Sequence, residues 1–242
     1  MNKTLLLLGA SGGLGNELIP VLHKAGYKLA LHYHNSKDSI DAVLEKNNIR
    51  DAKLYKADIT SESDIETLIN AVNTDFNGLD VVVNNAGVSS SSMSWKYDMN
   101  DWDKTVAINL TGPFMVIKHA LNVMRPNNFG RIINITSIVA QTGFIGTSAY
   151  AASKAGLIGM TKSVSKEVAN KNITINNIAL GYFNAGMIHE VPDNMQEDLL
   201  NKIPKKAFGK PEELAECILY LANENNTYLT GQTINLNGGL YS

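Results

Sequence analysis

The sequence predicts a doubly wound α/β fold, in which helices cover both faces of a parallel sheet to give three layers within a single domain. Two patterns carry this prediction. Short apolar runs alternate with stretches of helical spacing along all 242 residues. The apolar runs, such as residues 5–8, lack polar interruptions, which is typical of strands buried on both faces. No linker, fixed-period repeat or block of like charge divides the chain.

Each element follows from a local signal. Apolar residues at 65, 68, 69 and 72 have helical spacing, Val81-Val82-Val83 is β-branched, and Gly26 ends the first helix. The predicted strands are 4–8, 28–33, 53–57, 79–84, 131–136, 174–179 and 233–236. The predicted helices are 13–24, 39–46, 64–76, 101–124, 149–168 and 211–221. Because ligands of such sheets bind at the carboxyl ends of the strands, the residues that follow each strand are the candidates for function.

Composition excludes several classes of protein. The chain has 21 Lys and Arg against 23 Asp and Glu, so its net charge is −2. Electrostatic binding of nucleic acid needs an excess of positive charge, and it is therefore excluded as the main activity. The single cysteine, Cys217, fits a reducing compartment. No run approaches the ~20 apolar residues that span a bilayer, and residues 5–8 are too few for a signal peptide. We therefore expect a cytoplasmic protein that starts at Met1 and has no nucleic-acid or membrane partner.

A glycine-rich segment, Gly9 to Gly15, follows the first strand. Glycine lets the backbone approach a phosphate closely, and the N–H groups of the next helix point at that anion. Alone, the segment is equally well a tight turn. Its position between an apolar strand and an amphipathic helix favours a dinucleotide site.

Four further signals resemble the short-chain dehydrogenase/reductase family across the whole chain. They are Asn84-Asn85-Ala86-Gly87 after the fourth strand, Asn109 in the long helix, Ser137 after the fifth strand, and Tyr150 with Lys154 thirteen residues on. The glycine spacing matches as well. Residues 208–213 and 228–241 look most like the β-ketoacyl-acyl-carrier-protein reductases of that family.

The resemblance implies an NAD(P)-dependent oxidoreductase with a catalytic set of Asn109, Ser137, Tyr150 and Lys154. Tyr150 and Lys154 lie four apart, on one helix face, and an ammonium lowers the pKa of a phenol from its usual ~10. Ser137 can donate a hydrogen bond to a carbonyl oxygen. By resemblance, Asn109 distorts its helix and holds a water that passes protons to Lys154. Each residue taken alone also has a purely structural explanation. Tyr150 and Lys154 could be an exposed helix pair, Ser137 a strand-end cap, and Asn109 a surface asparagine.

The second strand predicts the cofactor. Its end carries four residues that can donate to a phosphate, His34, Asn35, Ser36 and Lys37, and no acid before Asp38. NAD-dependent enzymes typically have an acidic residue there, which binds the ribose hydroxyls and would repel a 2′-phosphate. NADPH is therefore favoured, although relatives that prefer NADP often have a base where this chain has Gly12. His32 and His34 share a strand face without a third ligand, so no metal is expected.

The predicted cofactor set combines these signals with the resemblance. Asp58 corresponds to the residue that binds the adenine amine, and it is almost as well explained as a cap for the following helix. The set is Gly9, Ser11, Gly12, Gly13, Leu14, Gly15, His34, Asn35, Ser36, Asp58, Ile59, Asn85, Ala86, Gly87, Tyr150, Lys154 and Phe183.

Residues 181–208 form a long connection that predicts a substrate lid. Its apolar residues Met187, Ile188, Val191, Met195 and Leu199 either cover an acyl chain or pack the lid onto the body. The lid departs from the family, with Leu180 for a proline and Ala185 for a threonine. Gly181 and Gly186 are hinge candidates.

The leading function is reduction of a 3-oxoacyl thioester, bound to acyl carrier protein or CoA. An acidic carrier needs basic residues near the site: Lys171 is retained, while Asn128 replaces an arginine. One alternative is a dehydrogenase or reductase of a small alcohol, sugar or cyclic ketone, and another is a non-catalytic dinucleotide-sensing protein. By resemblance the chain forms a homotetramer through helices 101–124 and 149–168 and the last strand.

Overall fold

Seven parallel strands form one sheet in the computed structural model, which describes residues 3–242 apart from the Glu190 side chain. Their order is β3-β2-β1-β4-β5-β6-β7. The direction of winding reverses between β1 and β4, so the switch point of the sheet lies there. The strands are β1 Thr4–Leu8, β2 Lys28–Tyr33, β3 Lys53–Lys56, β4 Val81–Asn84, β5 Gly130–Ser137, β6 Ile173–Leu180 and β7 Thr233–Leu236.

Nine α-helices connect the strands in the described part of the chain. They are α1 Gly13–Lys24, α2 Lys37–Lys46, α3 Glu62–Phe76, α4 Met99–Val106, α5 Gly112–Asn127, α6 Val139–Thr142, α7 Ser148–Val168, α8 Asp193–Lys202 and α9 Pro211–Ala222. None of the described helices combines the length and apolar character that a membrane crossing requires.

Three departures from the predicted helices have physical causes. The single helix predicted over 101–124 is α4 and α5 joined by a π-helical turn, Ala107–Thr111, which leaves the apolar pattern intact. The short α6 has only four residues and no buried one. The lid contains α8, which also has no buried residue and therefore shows no apolar stripe in the sequence.

The core lies on both faces of the sheet, as the uninterrupted strands predicted. Leu5 and Leu7 pack with α1 and α9, whereas Leu6 and Leu8 pack with α3 and α5. All four leucines are essentially inaccessible to solvent. Successive strand residues point to opposite faces, so this alternation requires helices on both sides and gives the three layers.

A chain of buried polar side chains crosses the sheet beneath the carboxyl ends of its strands. Asn84 donates to Asn134 at 2.7 Å, Asn134 to Thr161 at 2.9 Å, Thr161 to Asn177 at 2.8 Å, and Asn177 to Thr233 at 3.1 Å. These residues come from β4, β5, α7, β6 and β7. The chain ties α7 to the strands, and α7 is the helix that carries Tyr150 and Lys154.

Candidate active site

A cleft of about 770 Å³ opens above β1 and β4, at the switch point of the sheet. Its size is in the range of small-molecule and cofactor sites. The glycine-rich loop forms one wall, the end of β2 a second, and the segment after β4 a third. The predicted cofactor residues that line it are Gly9, Ser11, Gly12, Gly13, Leu14, His34, Asn35, Ser36, Asp58, Ile59, Asn85, Ala86 and Gly87.

The glycine-rich loop is held between two strands. The Gly9 N–H donates to His32 Nδ1 at 3.1 Å, and the Asn85 amide donates to the Gly9 carbonyl at 3.0 Å. Gly9 has φ +68°, and a Cβ there would lie 2.7 Å from Ala86 Cα. Only glycine fits, and the loop leaves the first N–H groups of α1 directed at the cleft, as a diphosphate requires.

Gly15, which is also in the predicted cofactor set, does not line the cleft. A Cβ on Gly15 would lie 2.2 Å from the Gly9 carbonyl oxygen, so this glycine serves the packing of α1 against the loop. Lys37, a predicted phosphate donor, also lies outside the cleft lining and pairs with Asp41 at 2.5 Å. Three of the four predicted donors therefore remain at the end of β2.

Gly15→Ala is expected to destabilise the chain by about 1–3 kcal/mol and to weaken dinucleotide binding, since the added methyl group meets backbone. Gly12→Ala is the matched control: a Cβ there would lie 3.5 Å from the Gly9 carbonyl oxygen, an ordinary contact. Thermal unfolding and dinucleotide titration of both variants measure the difference. Equal behaviour of the two variants would contradict the packing role of Gly15.

Asp58 serves a turn and faces the cleft at the same time. Its Oδ1 accepts from the Thr60 N–H at 2.9 Å and the Thr60 hydroxyl at 2.7 Å, and these bonds lower the pKa of the carboxyl. Its Oδ2 lies 4.0 Å from His34 Nε2. The helix cap that follows is Ser61, which accepts from the Asp64 N–H. The interpretation of Asp58 as the helix cap is therefore wrong, whereas its position in the cleft leaves the adenine contact as a prediction.

Several residues that line the cleft were not predicted from the sequence. Lys104 and Ile108 reach it from α4 and the π turn, and Thr60 and Val88 follow β3 and β4. Gly186 and Met187 reach it from the lid. The first two belong to helical elements far from any strand end, so their place at the cleft follows from packing and not from the strand pattern.

A smaller pocket of about 120 Å³ adjoins the cleft and contains Ser137, Tyr150 and Lys154. Leu14, Asn85, Gly87 and Met187 line both cavities. Ser137 is the last residue of β5, and Tyr150 and Lys154 lie one turn apart on α7. Phe183 lines this pocket too. The residues expected to act on the substrate thus lie together, at one end of the dinucleotide cleft.

Burial dominates the acid–base properties of this pocket. Lys154 is 4% exposed, and burial lowers its pKa to about 8. Its Nζ donates to the Ile135 carbonyl at 2.8 Å and lies 5.8 Å from the centre of the Tyr150 ring. Burial raises the pKa of Tyr150, and a hydrogen bond with Ser137 opposes that rise. In the chain alone the pKa of Tyr150 is therefore raised by burial, and the expected lowering by the ammonium is not found.

Asn109 lies in the π turn and is fully buried. Its Oδ1 accepts from the Val88 N–H at 2.9 Å, and its Nδ2 donates to the Val88 carbonyl at 2.8 Å and to Ser153 at 3.2 Å. A Cβ on Gly87 would lie 3.3 Å from Asn109 Oδ1 and 3.4 Å from Lys154 Nζ. Asn109 therefore ties the segment after β4 to α7, within reach of Lys154.

The lid contacts the glycine-rich loop directly. Gly186 has φ +67°, and a Cβ on Gly13 would lie 2.5 Å from Gly186 Cα. Ile188 is buried, whereas Met187 and Met195 are about half exposed at 47% and 51%. Gly181, a hinge candidate, packs tightly instead, because a Cβ there would lie 2.8 Å from Asn237 Cα.

Fold and site together define a class: an α/β dinucleotide-binding protein whose smaller pocket holds a hydroxyl, a phenol and an amine. The family described as Enoyl-(Acyl carrier protein) reductase matches residues 9–241. The chain is 35% identical to the 3-oxoacyl-[acyl-carrier-protein] reductase FabG of Staphylococcus epidermidis, over 100% of both chains. It is 38% identical to the protein of that name from Rickettsia conorii, over 98% of this chain and 96% of the relative.

The chain belongs to the short-chain dehydrogenase/reductase family. It is therefore an oxidoreductase of the kind that acts on CH–OH and C=O groups. Membership implies a nicotinamide dinucleotide as cofactor.

Proposed function

We propose that this chain reduces the ketone of a 3-oxoacyl thioester, carried by acyl carrier protein or CoA, to the 3-hydroxyacyl form with NADPH. The observation that carries the proposal is the single pocket that holds Ser137, Tyr150 and Lys154 beside the dinucleotide cleft. Full-length similarity to reductases named for 3-oxoacyl carriers supports the substrate class.

The residues act on the carbonyl oxygen. When bound, a reduced nicotinamide would supply the hydride for the carbonyl carbon. Ser137 donates a hydrogen bond to the oxygen as negative charge develops there, and Tyr150 transfers its phenolic proton to the same atom. The C=O group thereby becomes CH–OH, and the phenolate that remains on Tyr150 must regain a proton.

Lys154 and Asn109 support that proton transfer. A raised pKa keeps Tyr150 protonated, which suits an acid but makes the phenolate costly. The positive charge of Lys154 stabilises the phenolate as it forms. We assign Asn109 the role of holding the π turn, from which a water can pass protons to Lys154.

The end of β2 supports NADPH over NADH. His34, Asn35 and Ser36 line the cleft and can donate to a 2′-phosphate, and none of them is acidic. We expect kcat/KM at least about tenfold higher with NADPH. Gly12→Arg should increase that preference, since a side chain has room there and arginine binds phosphate in two places. Comparable kcat/KM with the two cofactors would contradict the assignment.

A basic groove supports docking of an acidic carrier. Arg125, in the last turn of α5, and Lys171 line one surface groove of about 310 Å³. Asn128, which replaces the arginine of relatives, has φ 52° as the C-cap of α5, a left-handed position that suits asparagine. The groove lies at the amino ends of β5 and β6, whereas Ser137 lies at the carboxyl end of β5. A carrier docked on Arg125 and Lys171 therefore serves the pocket of another subunit, and we assign the docking role to these residues in that sense.

The lid and the subunit arrangement complete the proposal. Residues 181–208 act as a lid, in which Met187 and Met195 meet the acyl chain and Ile188 packs the lid onto the body. The chain forms a homotetramer through α4, α5, α7 and β7. Phe114, 46% exposed on α5, is consistent with a helix that another subunit covers. Sedimentation measures the oligomeric state.

The test is turnover on a panel of substrates. Acetoacetyl-CoA and a 3-oxoacyl-carrier thioester are incubated with the purified chain and NADPH, and cofactor oxidation is followed by absorbance. The matching enoyl thioester is the control, because it carries the same acyl group without the ketone. Turnover of the oxo substrates alone is expected. No turnover of them, beside clear activity on a sugar or cyclic ketone, would overturn the acyl assignment.

A further inference from the structure

His32 is a buried histidine at the end of β2 whose two ring nitrogens are both engaged. The side chain is 2% exposed and contributes to the wall of the dinucleotide cleft. Its Nδ1 lies 3.1 Å from the Gly9 nitrogen, and its Nε2 lies 3.0 Å from the Ala57 carbonyl oxygen. It therefore bridges the glycine-rich loop after β1 and the end of β3.

These partners determine the state of the ring. The Ala57 carbonyl can only accept, so Nε2 must carry a hydrogen. The Gly9 N–H can only donate, so Nδ1 must be bare. His32 is therefore neutral, with its proton on Nε2. A second proton on Nδ1 would place two donors face to face and would leave a charge in a buried site.

The bond to Gly9 bears on cofactor binding through the loop. Besides the Nδ1 contact, the Ala10 N–H donates to the His32 carbonyl at 2.9 Å. The two bonds anchor the start of the loop to β2, and Asn85 anchors it from the β4 side. The N–H groups of Gly13 and Leu14, four and five residues on, take their positions from this anchor.

The charged surroundings of His32 are few. His34 follows on β2, Asp58 follows β3, and Lys104 reaches the same cleft from α4. Tyr55, its register partner on β3, donates its hydroxyl to Asp75 at 2.7 Å. On the β1 side the contact is the Gly9 backbone.

We infer that neutral His32 is a positioning residue for the glycine-rich loop, so that protonation of its Nδ1 releases Gly9 and weakens dinucleotide binding. The inference rests on the proposed dinucleotide site. Burial lowers the pKa of His32, so the loss occurs below the pH at which a free histidine titrates. The free energy of unfolding of the unliganded chain changes in the same direction as the affinity. It falls as the pH drops from the ordinary pKa of histidine to the lower pKa of His32 in the folded chain.

The experiment measures the dissociation constant of NADP⁺, which tolerates acid, from about pH 8 to about pH 5 for the wild type and three variants. His32→Asn offers an acceptor that does not titrate. His32→Leu removes the acceptor. His23→Asn removes a histidine of α1 that bonds Asp51 outside both cavities, and it is the matched control. Because all four proteins receive the same ligand, titration of the 2′-phosphate cancels from the comparison.

Wild type and His23→Asn are expected to lose about tenfold more affinity on acidification than His32→Asn. His32→Leu should bind about tenfold more weakly at pH 8, with the flat profile of His32→Asn. A slope in His32→Asn equal to that of the wild type would overturn the inference. If the wild type binds NADP⁺ at no pH, the proposed function fails instead.

A second measurement on the wild type does not depend on the folding of any variant. Nitrogen NMR of the imidazole reports which ring nitrogen carries the proton. We expect Nε2–H near pH 8 and titration of His32 together with the loss of affinity. A proton on Nδ1 in the neutral ring, or affinity that falls while His32 stays neutral, would contradict the assignment.

Discussion

Tyr150→Phe is expected to lower kcat for ketone reduction by about 10²- to 10⁴-fold, the usual contribution of a positioned general acid. In the proposed mechanism the phenol transfers its proton to the substrate, whereas Ser137, whose Oγ accepts from the Val139 N–H at 3.2 Å, donates a hydrogen bond. The ring itself is retained, so the shape of the pocket and the dinucleotide affinity should change little. Single-turnover kinetics and cofactor titration measure the two quantities separately.

The control for this variant is Tyr55→Phe, which removes a hydroxyl from β3 that bonds Asp75 outside both cavities. Its kcat should match that of the wild type. Wild-type turnover in Tyr150→Phe would contradict the proposed acid. If the wild type binds NADPH but turns over no carbonyl substrate, the dinucleotide-sensing alternative becomes the better explanation.

The positions of the strands and the proximity of the predicted site residues could both be predicted from the sequence, for one reason. Strands of a parallel sheet end at one edge, so residues that follow different strands must lie close together. Asn85 and Ser137 are far apart in sequence, yet they line the same pocket because they follow neighbouring strands β4 and β5. Apolar runs fix the strand positions to within about two residues, because most strand residues of a sheet covered on both faces are apolar. The buried asparagines of β5 and β6 are exceptions, and Asn134 and Asn177 bond Thr161.

Features that depend on exact packing distances could not be read in this way. Gly15 looks like Gly13 in the sequence, and only the distance of a hypothetical Cβ from the Gly9 carbonyl separates packing from cofactor contact. The π turn adds no signal, since it preserves the apolar pattern of the helices around it. The sequence suggested only a metal-ligand role to consider for His32. Its bond to Gly9 could not be predicted, because that bond depends on the register of β1 and β2.

The electrostatics of the catalytic pocket show a similar limit. Spacing of four residues places Lys154 beside Tyr150, which predicts a lowered phenol pKa. The spacing does not reveal how deeply both groups are buried. Burial disfavours the charged form of each group. In the chain alone it therefore raises the pKa of Tyr150 and lowers the pKa of Lys154. The positive charge of Lys154 and, when a dinucleotide is bound, that of the oxidised nicotinamide are the influences that can favour the phenolate.

Lys154→Met is expected to abolish most of the activity and, at the same time, to stabilise the unliganded chain. The ammonium supports the phenolate of Tyr150, so kcat should fall by about 10²- to 10⁴-fold. Methionine is apolar and similar in length, and it removes the cost of burying a charge. The lost hydrogen bond to the Ile135 carbonyl offsets part of that gain. The expected net increase in the free energy of unfolding is about 1–2 kcal/mol at neutral pH.

The pH dependence of stability identifies the cause. Burial lowers the pKa of Lys154 from 10.5 to about 8 in the folded chain. Between these values the unfolded chain binds more protons than the folded one, so this lysine makes the free energy of unfolding rise with pH. Below about pH 8 its full penalty is present. Lys154→Met should lack this rise, and its advantage over the wild type should shrink as the pH increases from about 7 to about 10.

Urea unfolding at these pH values measures the difference, and Lys162→Met, an exposed lysine on the same helix, is the matched control. Lys162→Met should follow the wild type at every pH and retain activity. If Lys154→Met proves less stable than the wild type at neutral pH, the Ile135 hydrogen bond must outweigh the desolvation of the ammonium. Lys154 would then stabilise the fold as well as the phenolate. That result would contradict our prediction that the buried ammonium lowers the free energy of unfolding.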